Sequence, residues 1–300
     1  MGFSMSIFNR FFGRKEESTD AGKLAANPEV KNSLALTVLF AARLAIDANE
    51  LTKALRAYHP TMRGARVELL SNREAPFGLV GWKKHVVKMV GFDVPMPKES
   101  VEDCVAPSHY SPEMKAQVRA HLGHIILYYA GFEEDPLEQY VALAAVAGAL
   151  VEFDAVGVLN EKARTSVPGV IFTLHAELGC DSLEGLRDFP LTMMFCGFVK
   201  YEVEGVQGVW MRTYGAGALG CNDLATLAEG HHEGEKYSDL FSSVLRYQLD
   251  SGAEFAAGHT MQVGEATYAK LREPLESEYF LHDPQKALVV EMITEAQINR

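Results

Sequence analysis

Residues 191–224 read LTMMFCGFVKYEVEGVQGVWMRTYGAGALGCNDL. An apolar run from Leu191 to Val199 leads through the polar Glu202–Gly208 turn into a second run, Val209 to Tyr214, and then into the spaced glycines Gly215, Gly217 and Gly220. Two strand-like runs joined by a turn and closed by glycines predict a hairpin leaving a sheet. No complete catalytic, metal or phosphate-binding signature accompanies it.

Upstream, Leu34 to Leu44 suits a buried strand. Asp47 then caps a helix over 48–58, in which Leu51, Leu55 and Tyr58 fall at helical spacing. Ala65 to Leu70 reads as a strand, and Phe77 to Val94 as a strand or hairpin. Ser111-Pro112 and Asp135-Pro136 each place a capping side chain before a proline, which needs no amide partner at the first helical position. They open helices on either side of the strand GHIILYYA, Gly123 to Ala130. Asp154 to Leu159 reads as a short strand, Arg164 to Pro168 as a turn, and Val170 to Leu178 as helix or strand. Tyr237 to Asp250 carries helical spacing, and strands are expected near 260–263, 268–271 and 287–292. This pattern predicts an α+β fold, with antiparallel or mixed sheets, helices packed on one side, and two ferredoxin-like halves as one arrangement. The expected organisation is a flexible segment over 1–31 and an α+β domain over 32–300, divisible into subdomains 32–160 and 161–300.

The chain has 300 residues, 48% hydrophobic and 23% charged, with a formal net charge of −12. That composition is globular, and the negative field opposes nucleic acid and anionic membranes. Cys104, Cys180, Cys196 and Cys221 are widely spaced with no C-x-x-C pair, which suits reduced thiols in a cytoplasmic protein. The longest apolar candidate for a membrane span, Tyr140 to Val151, is short and alanine-rich and reads as a buried helix. The first twenty residues set Phe8, Phe11 and Phe12 beside Arg10, Arg14 and Lys15. They read as a frayed start or, alternatively, as an interfacial or partner-binding arm.

The segment RTYGAGALGCNDL, followed after a helix by SGAEFAAGHTMQVG, resembles the C-terminal half of a bacterial family of domains of unknown function, numbered 4261. The upstream GHIILYYAGFEEDPLEQYVALAAVAGAL and GVLN resemble that family's strand, capped helix and short strand, so the resemblance spans most of residues 34–275. Leu219 stands where an aromatic residue is common, Asp223 takes the acidic place, and His259 replaces the aspartate of the Gly-x-Thr turn. The resemblance implies no activity, because a fold does not carry a function by itself.

Candidate chemistry is sparse. His121-x-x-His124 could share a helical face as metal ligands, but Gly123 places the pair at a helix-to-strand junction with no third ligand specified. His231, His232 and Glu233, with Glu229 and Glu235, form a ligand-rich loop that reads as solvated, so no metal and no cofactor is expected. Cys221, Asp223 and His259 can be drawn as a nucleophile, carboxylate and base, with glycine amides as an oxyanion hole. Thr213, Gly215, Gly220 and Thr260 are the matching ligand-binding candidates. Gly215-x-Gly-x-x-Gly220 matches a dinucleotide spacing, but a hairpin rather than a βαβ unit surrounds it, which favours a close-packing turn. The leading expectation is a non-enzymatic binding or interaction module, an immunity- or stress-type partner of another protein. The alternative is a hydrolase-like enzyme or small-ligand binder using the 213–223 and 258–260 turns. The sequence sets no oligomeric state.

Overall fold

The computed structural model describes residues 23–71, 77–174, 178–282 and 285–298. The expectations for the N-terminal aromatic-basic stretch lie outside the described residues. Seven strands form the first sheet: β1 (Ala35–Phe40), β2 (Arg66–Ser71), β3 (Phe77–Trp82), β4 (His85–Phe92), β5 (Gly123–Tyr129), β6 (Ala155–Asn160) and β7 (Thr165–Pro168). Their spatial order is β2-β3-β4-β5-β1-β6-β7, and every neighbouring pair is antiparallel.

Helix α1 (Ala48–Tyr58) starts where the Asp47 carboxylate accepts the amides of Asn49 and Glu50. Helix α4 (Pro136–Leu150) starts the same way, with Asp135 accepting from Leu137. Alternation along β1 sends Leu36, Val38 and Phe40 into one core with α1 and α4, and Leu39 into a second core on the other face. That second core holds Val101, Cys104 and Val105 of α2 (Lys98–Val105) and Val118 of α3 (Pro112–Arg119). Helices therefore flank both faces of the first sheet rather than one. The window Pro136–Phe153 has the length and hydropathy of a membrane span, yet 61% of it is buried inside the protein. Its apolarity is accounted for by α1, the first sheet and the helix α5 (Ser182–Asp188) packed around it.

The second sheet contains β8 (Gly197–Tyr201), β9 (Val209–Tyr214), β10 (Leu224–Ala228), β11 (Thr260–Gly264), β12 (Thr267–Arg272) and β13 (Leu288–Thr294). Its order is β11-β12-β13-β10-β9-β8, antiparallel except for the parallel β10–β13 pair. The architecture is α+β with one antiparallel and one mixed sheet; at seven and six strands, both exceed a four-stranded ferredoxin-like unit.

The 191–224 stretch is a hairpin of β8 and β9 with Phe198 opposite Thr213, but it begins later than its apolar run suggests. Leu191–Met194 is a short helix, α6, and the strand starts at Gly197. Of the nine residues 191–199 only Thr192 is polar, and the run carries no period, so helix and strand cannot be told apart there. Residues 164–168, expected as a turn, hold strand β7, which pairs with β6 and puts the edge of the first sheet beyond residue 160.

The two sheets meet at the 161–164 turn. Ala163 packs against Gly215, where a Cβ would sit 3.1 Å from the Ala163 methyl carbon, and against Gly197. Arg164, at a left-handed φ of 51°, lays its guanidinium over the Tyr214 ring at 4.6 Å. The Asn160 amide nitrogen donates to the Met194 and Phe195 carbonyls at 3.1 and 3.2 Å.

Candidate functional site

Asp223 is the centre of the turn between β9 and β10 and is only 1% exposed. Its carboxylate accepts the Ala216 amide at 3.0 Å and the Thr213 hydroxyl at 3.3 Å, while the Thr213 oxygen accepts the Leu224 amide at 2.8 Å. These bonds tie the end of β9 to the start of β10. Burial raises the Asp223 pKa above the usual carboxylate range, opposed by the Ala216 amide and the nearby Arg212 charge.

Because burial penalises its ionised form, Asp223 costs the folded state progressively more as pH rises from the ordinary 3.8 through the raised folded value. An Asp223→Asn variant escapes that charge. Its urea-denaturation stability should therefore rise relative to wild type as the pH is raised across that window; a flat or falling difference would refute the assignment.

The sequence did not single out Arg212, on β9, which is fully buried. Its guanidinium donates to the carbonyls of Phe280, at 3.0 Å, and Gln285, and stacks over Tyr214 at 4.6 Å. Tyr214 thus lies under two guanidinium groups, Arg164 and Arg212. The one signal for Arg212 in the sequence was a charged residue inside the apolar run VWMRTY.

Gly215 and Gly220 adopt φ of 86° and 77°, the left-handed region that side chains resist, and they bracket a 3-10 turn over Ala216–Leu219. The amides of Ala218, Gly220 and Cys221 go to the carbonyls of Gly215, Gly217 and Ala216. With the Ala216 amide on Asp223, these four amides are spent within the turn rather than held out for a phosphate or an oxyanion. The Cys221 thiol donates to Leu219 O at 3.9 Å, and burial pushes its pKa up to about 11, away from the reactive thiolate. His259 is exposed on the 258–260 turn, where its carbonyl accepts the Leu271 amide. Among the described residues, no side-chain hydrogen bond joins Cys221, Asp223 and His259. Asn222, between the first two, donates to Phe255 O at 2.9 Å and so fastens this turn to the loop leading to Gly258 and Thr260.

The histidine pairs are engaged elsewhere. His121 donates from Nδ1 to Val118 O and accepts the Met96 amide on Nε2, both at 2.8 Å, which fixes it as a neutral ring; burial lowers its pKa further. His124 donates to Val94 O at 2.9 Å and stacks on Phe92. His231 faces Glu202 at 3.2 Å on the surface. Among the described residues, no group of three or more His, Cys, Asp or Glu side chains is placed to hold a metal ion.

An open feature of the second sheet is a groove of about 910 Å³ between helix α7 (Gly234–Ser251) and the β11–β12 hairpin. Leu240, Val244, Tyr247, Phe255, Met261 and Val263 form its apolar lining, with Thr260 at one end. Tyr247 is 58% exposed and stacks on Phe255 with ring centroids 6.2 Å apart. Strand β11 forms an edge of the sheet.

No curated protein and no solved structure matches the chain. The upstream resemblance around residues 123–159 lies outside the matched segment, which begins within β9. Residues 212–291, which hold Arg212, the Asp223 turn and nearly all of the groove, match the family model described as a domain of unknown function (DUF4261).

Proposed function

We propose that this protein is a cytoplasmic interaction module that takes an extended segment of a partner protein along the β11 edge, over the groove under α7. The groove carries the proposal. An edge strand offers a row of unpaired backbone groups, and a strand added there would set alternate side chains against Met261, Val263 and the Tyr247–Phe255 pair. The groove is apolar at its centre, whereas the exposed Asp239, Asp250, Glu254 and Glu265 on its flanking elements outnumber Lys236. With a net charge of −12 behind them, these acids favour a partner segment that alternates apolar and basic residues. The Asp223 turn supports this role as scaffold, because its polar groups are consumed in joining β9 to β10. The cytoplasmic setting rests on the widely spaced, free cysteines.

The experiment is a fluorescence-polarisation titration with a labelled peptide of alternating valine and lysine. Binding should weaken at least tenfold, about 1.4 kcal/mol, in a Met261→Glu or Tyr247→Ala variant. A matched valine–glutamate peptide should bind less well than the lysine form. Equal binding of the two peptides, or indifference to both substitutions, would sink the proposal.

A further inference from the structure

A second cavity, of about 470 Å³, lies far along the chain from the groove's residues, between the β3–β4 turn, α4 and α5. That volume is within the range of small-molecule sites. Its floor is Trp82, 6% exposed, with the His85 ring tilted against it at 5.1 Å between centroids, and Val141 and Ala142 add apolar wall.

The polar groups around it divide into spent and unspent. Asp181 is spent: Oδ1 accepts the Leu183 and Glu184 amides, and Oδ2 accepts His59 Nε2–H at 2.8 Å. The His59 proton is on Nε2 because Nδ1 accepts the Thr61 amide. Glu138 is spent as well, with both oxygens on the Arg187 guanidinium, at 2.5 and 2.9 Å.

His85 is different. The Tyr129 side chain is fully buried and its oxygen accepts the Glu133 amide at 3.0 Å; its hydroxyl proton has His85 Nδ1, at 3.3 Å, as acceptor, an arrangement that leaves the ring proton on Nε2. Burial keeps this imidazole neutral by lowering its pKa. Among the described residues His85 Nε2–H has no protein acceptor, on a ring that lines the cavity.

The backbone at the mouth is also unusual. Lys83 holds a left-handed φ of 48° at the β3–β4 turn, which a lysine adopts only under constraint, and it lines the cavity while its neighbour Lys84 is tied back to Glu133. Carboxylates are in surplus around it: Arg187 is matched by Glu138 and Asp181 is held by His59, while Lys83 stands against Glu184 and Asp188, both exposed to solvent and screened by it.

We propose that this cavity binds a neutral, planar nitrogen heterocycle, stacked on Trp82 and accepting the His85 Nε2 proton at a carbonyl or ring nitrogen. The apolar floor selects a flat ring, and the half-buried His85 donor, which has no acceptor among the described residues, selects an acceptor on its edge. An anion would meet the surplus of carboxylates in a chain of net charge −12, and a cation would find Asp181 and Glu138 already saturated.

The test is a titration of the full chain with nicotinamide and with adenine, read by the fluorescence of Trp82. Trp210 is the only other tryptophan, so a Trp82→Phe variant supplies the blank. A saturable change is expected that disappears in that blank, and His85→Phe, which keeps a ring but removes the donor, should weaken binding at least tenfold. Benzoate and benzamidine, flat but charged, should bind at least tenfold more weakly than the neutral rings. Should His85→Phe fail to fold, shifts of the Trp82 indole proton in wild-type NMR spectra replace that arm. No saturable change, unaltered binding by a folded His85→Phe, or preference for a charged ring would each overturn the proposal. Binding here is independent of the groove, so Met261→Glu should leave it unchanged.

Discussion

Arg212→Met should lower the urea-denaturation stability of this protein by about 3–5 kcal/mol, the range for removing one partner from a buried charged network. The side chain is fully buried, so solvent cannot replace what it supplies. Its loss strips the Phe280 and Gln285 carbonyls of charge-assisted donors and removes the face-on contact with Tyr214. It also takes away the positive charge that offsets the desolvation of Asp223. The last effect gives the experiment a second reading. Adding Asp223→Asn to Arg212→Met should cost less than the sum of the single changes, since the carboxylate left stranded by the first is neutralised by the second. Strict additivity would show that the two groups do not share one electrostatic environment.

Gly197→Ala is expected to cost about 3 kcal/mol, the upper end for overpacking. A Cβ there would lie 1.6 Å from Ala163 O and 2.8 Å from its carbonyl carbon. Those are main-chain atoms of the turn that joins the two sheets, and they cannot swing aside as a flexible side chain would. Gly64→Ala is the matched control, because nothing lies within 4 Å of its added Cβ. It should fall within about 0.5 kcal/mol of wild type, as surface substitutions do. Similar midpoints for the two variants would mean that the interface between the sheets relaxes freely.

What the sequence disclosed follows from the range of the physics involved. The caps at Asp47, Ser111 and Asp135 are local, each made to an amide two or three residues on, and the helices they open were legible. So was the hairpin, whose turn is set by neighbouring residues. The boundary at Leu191 was not, because an apolar run without a period satisfies a buried helix and a buried strand equally. Nor was β7, a four-residue strand ending in Pro168, whose identity depends on its pairing with β6.

Sites divide the same way. Thr213 and Asp223, ten positions apart across one turn, are joined by a hydrogen bond, whereas the Cys221 and His259 side chains form none to that carboxylate. The His59–Asp181 and Glu138–Arg187 pairs join residues 122 and 49 positions apart, and no local pattern announces them. The glycines of GAGALG match a nucleotide motif in spacing, but the Gly220 amide is spent on the turn itself, and spacing alone carries no record of where an amide points.

The parallel pairing of β10 with β13 has a consequence for the order in which this protein can assemble. Strands β8, β9 and β10 form one ribbon and β11 with β12 another, and within the sheet the two ribbons meet only through β13. During synthesis, every strand of the first sheet is made before β8. The second sheet must instead wait as two fragments with bare inner edges until its latest-made strand slots between them. That interval is when the protein is most exposed to pairing with the wrong strand.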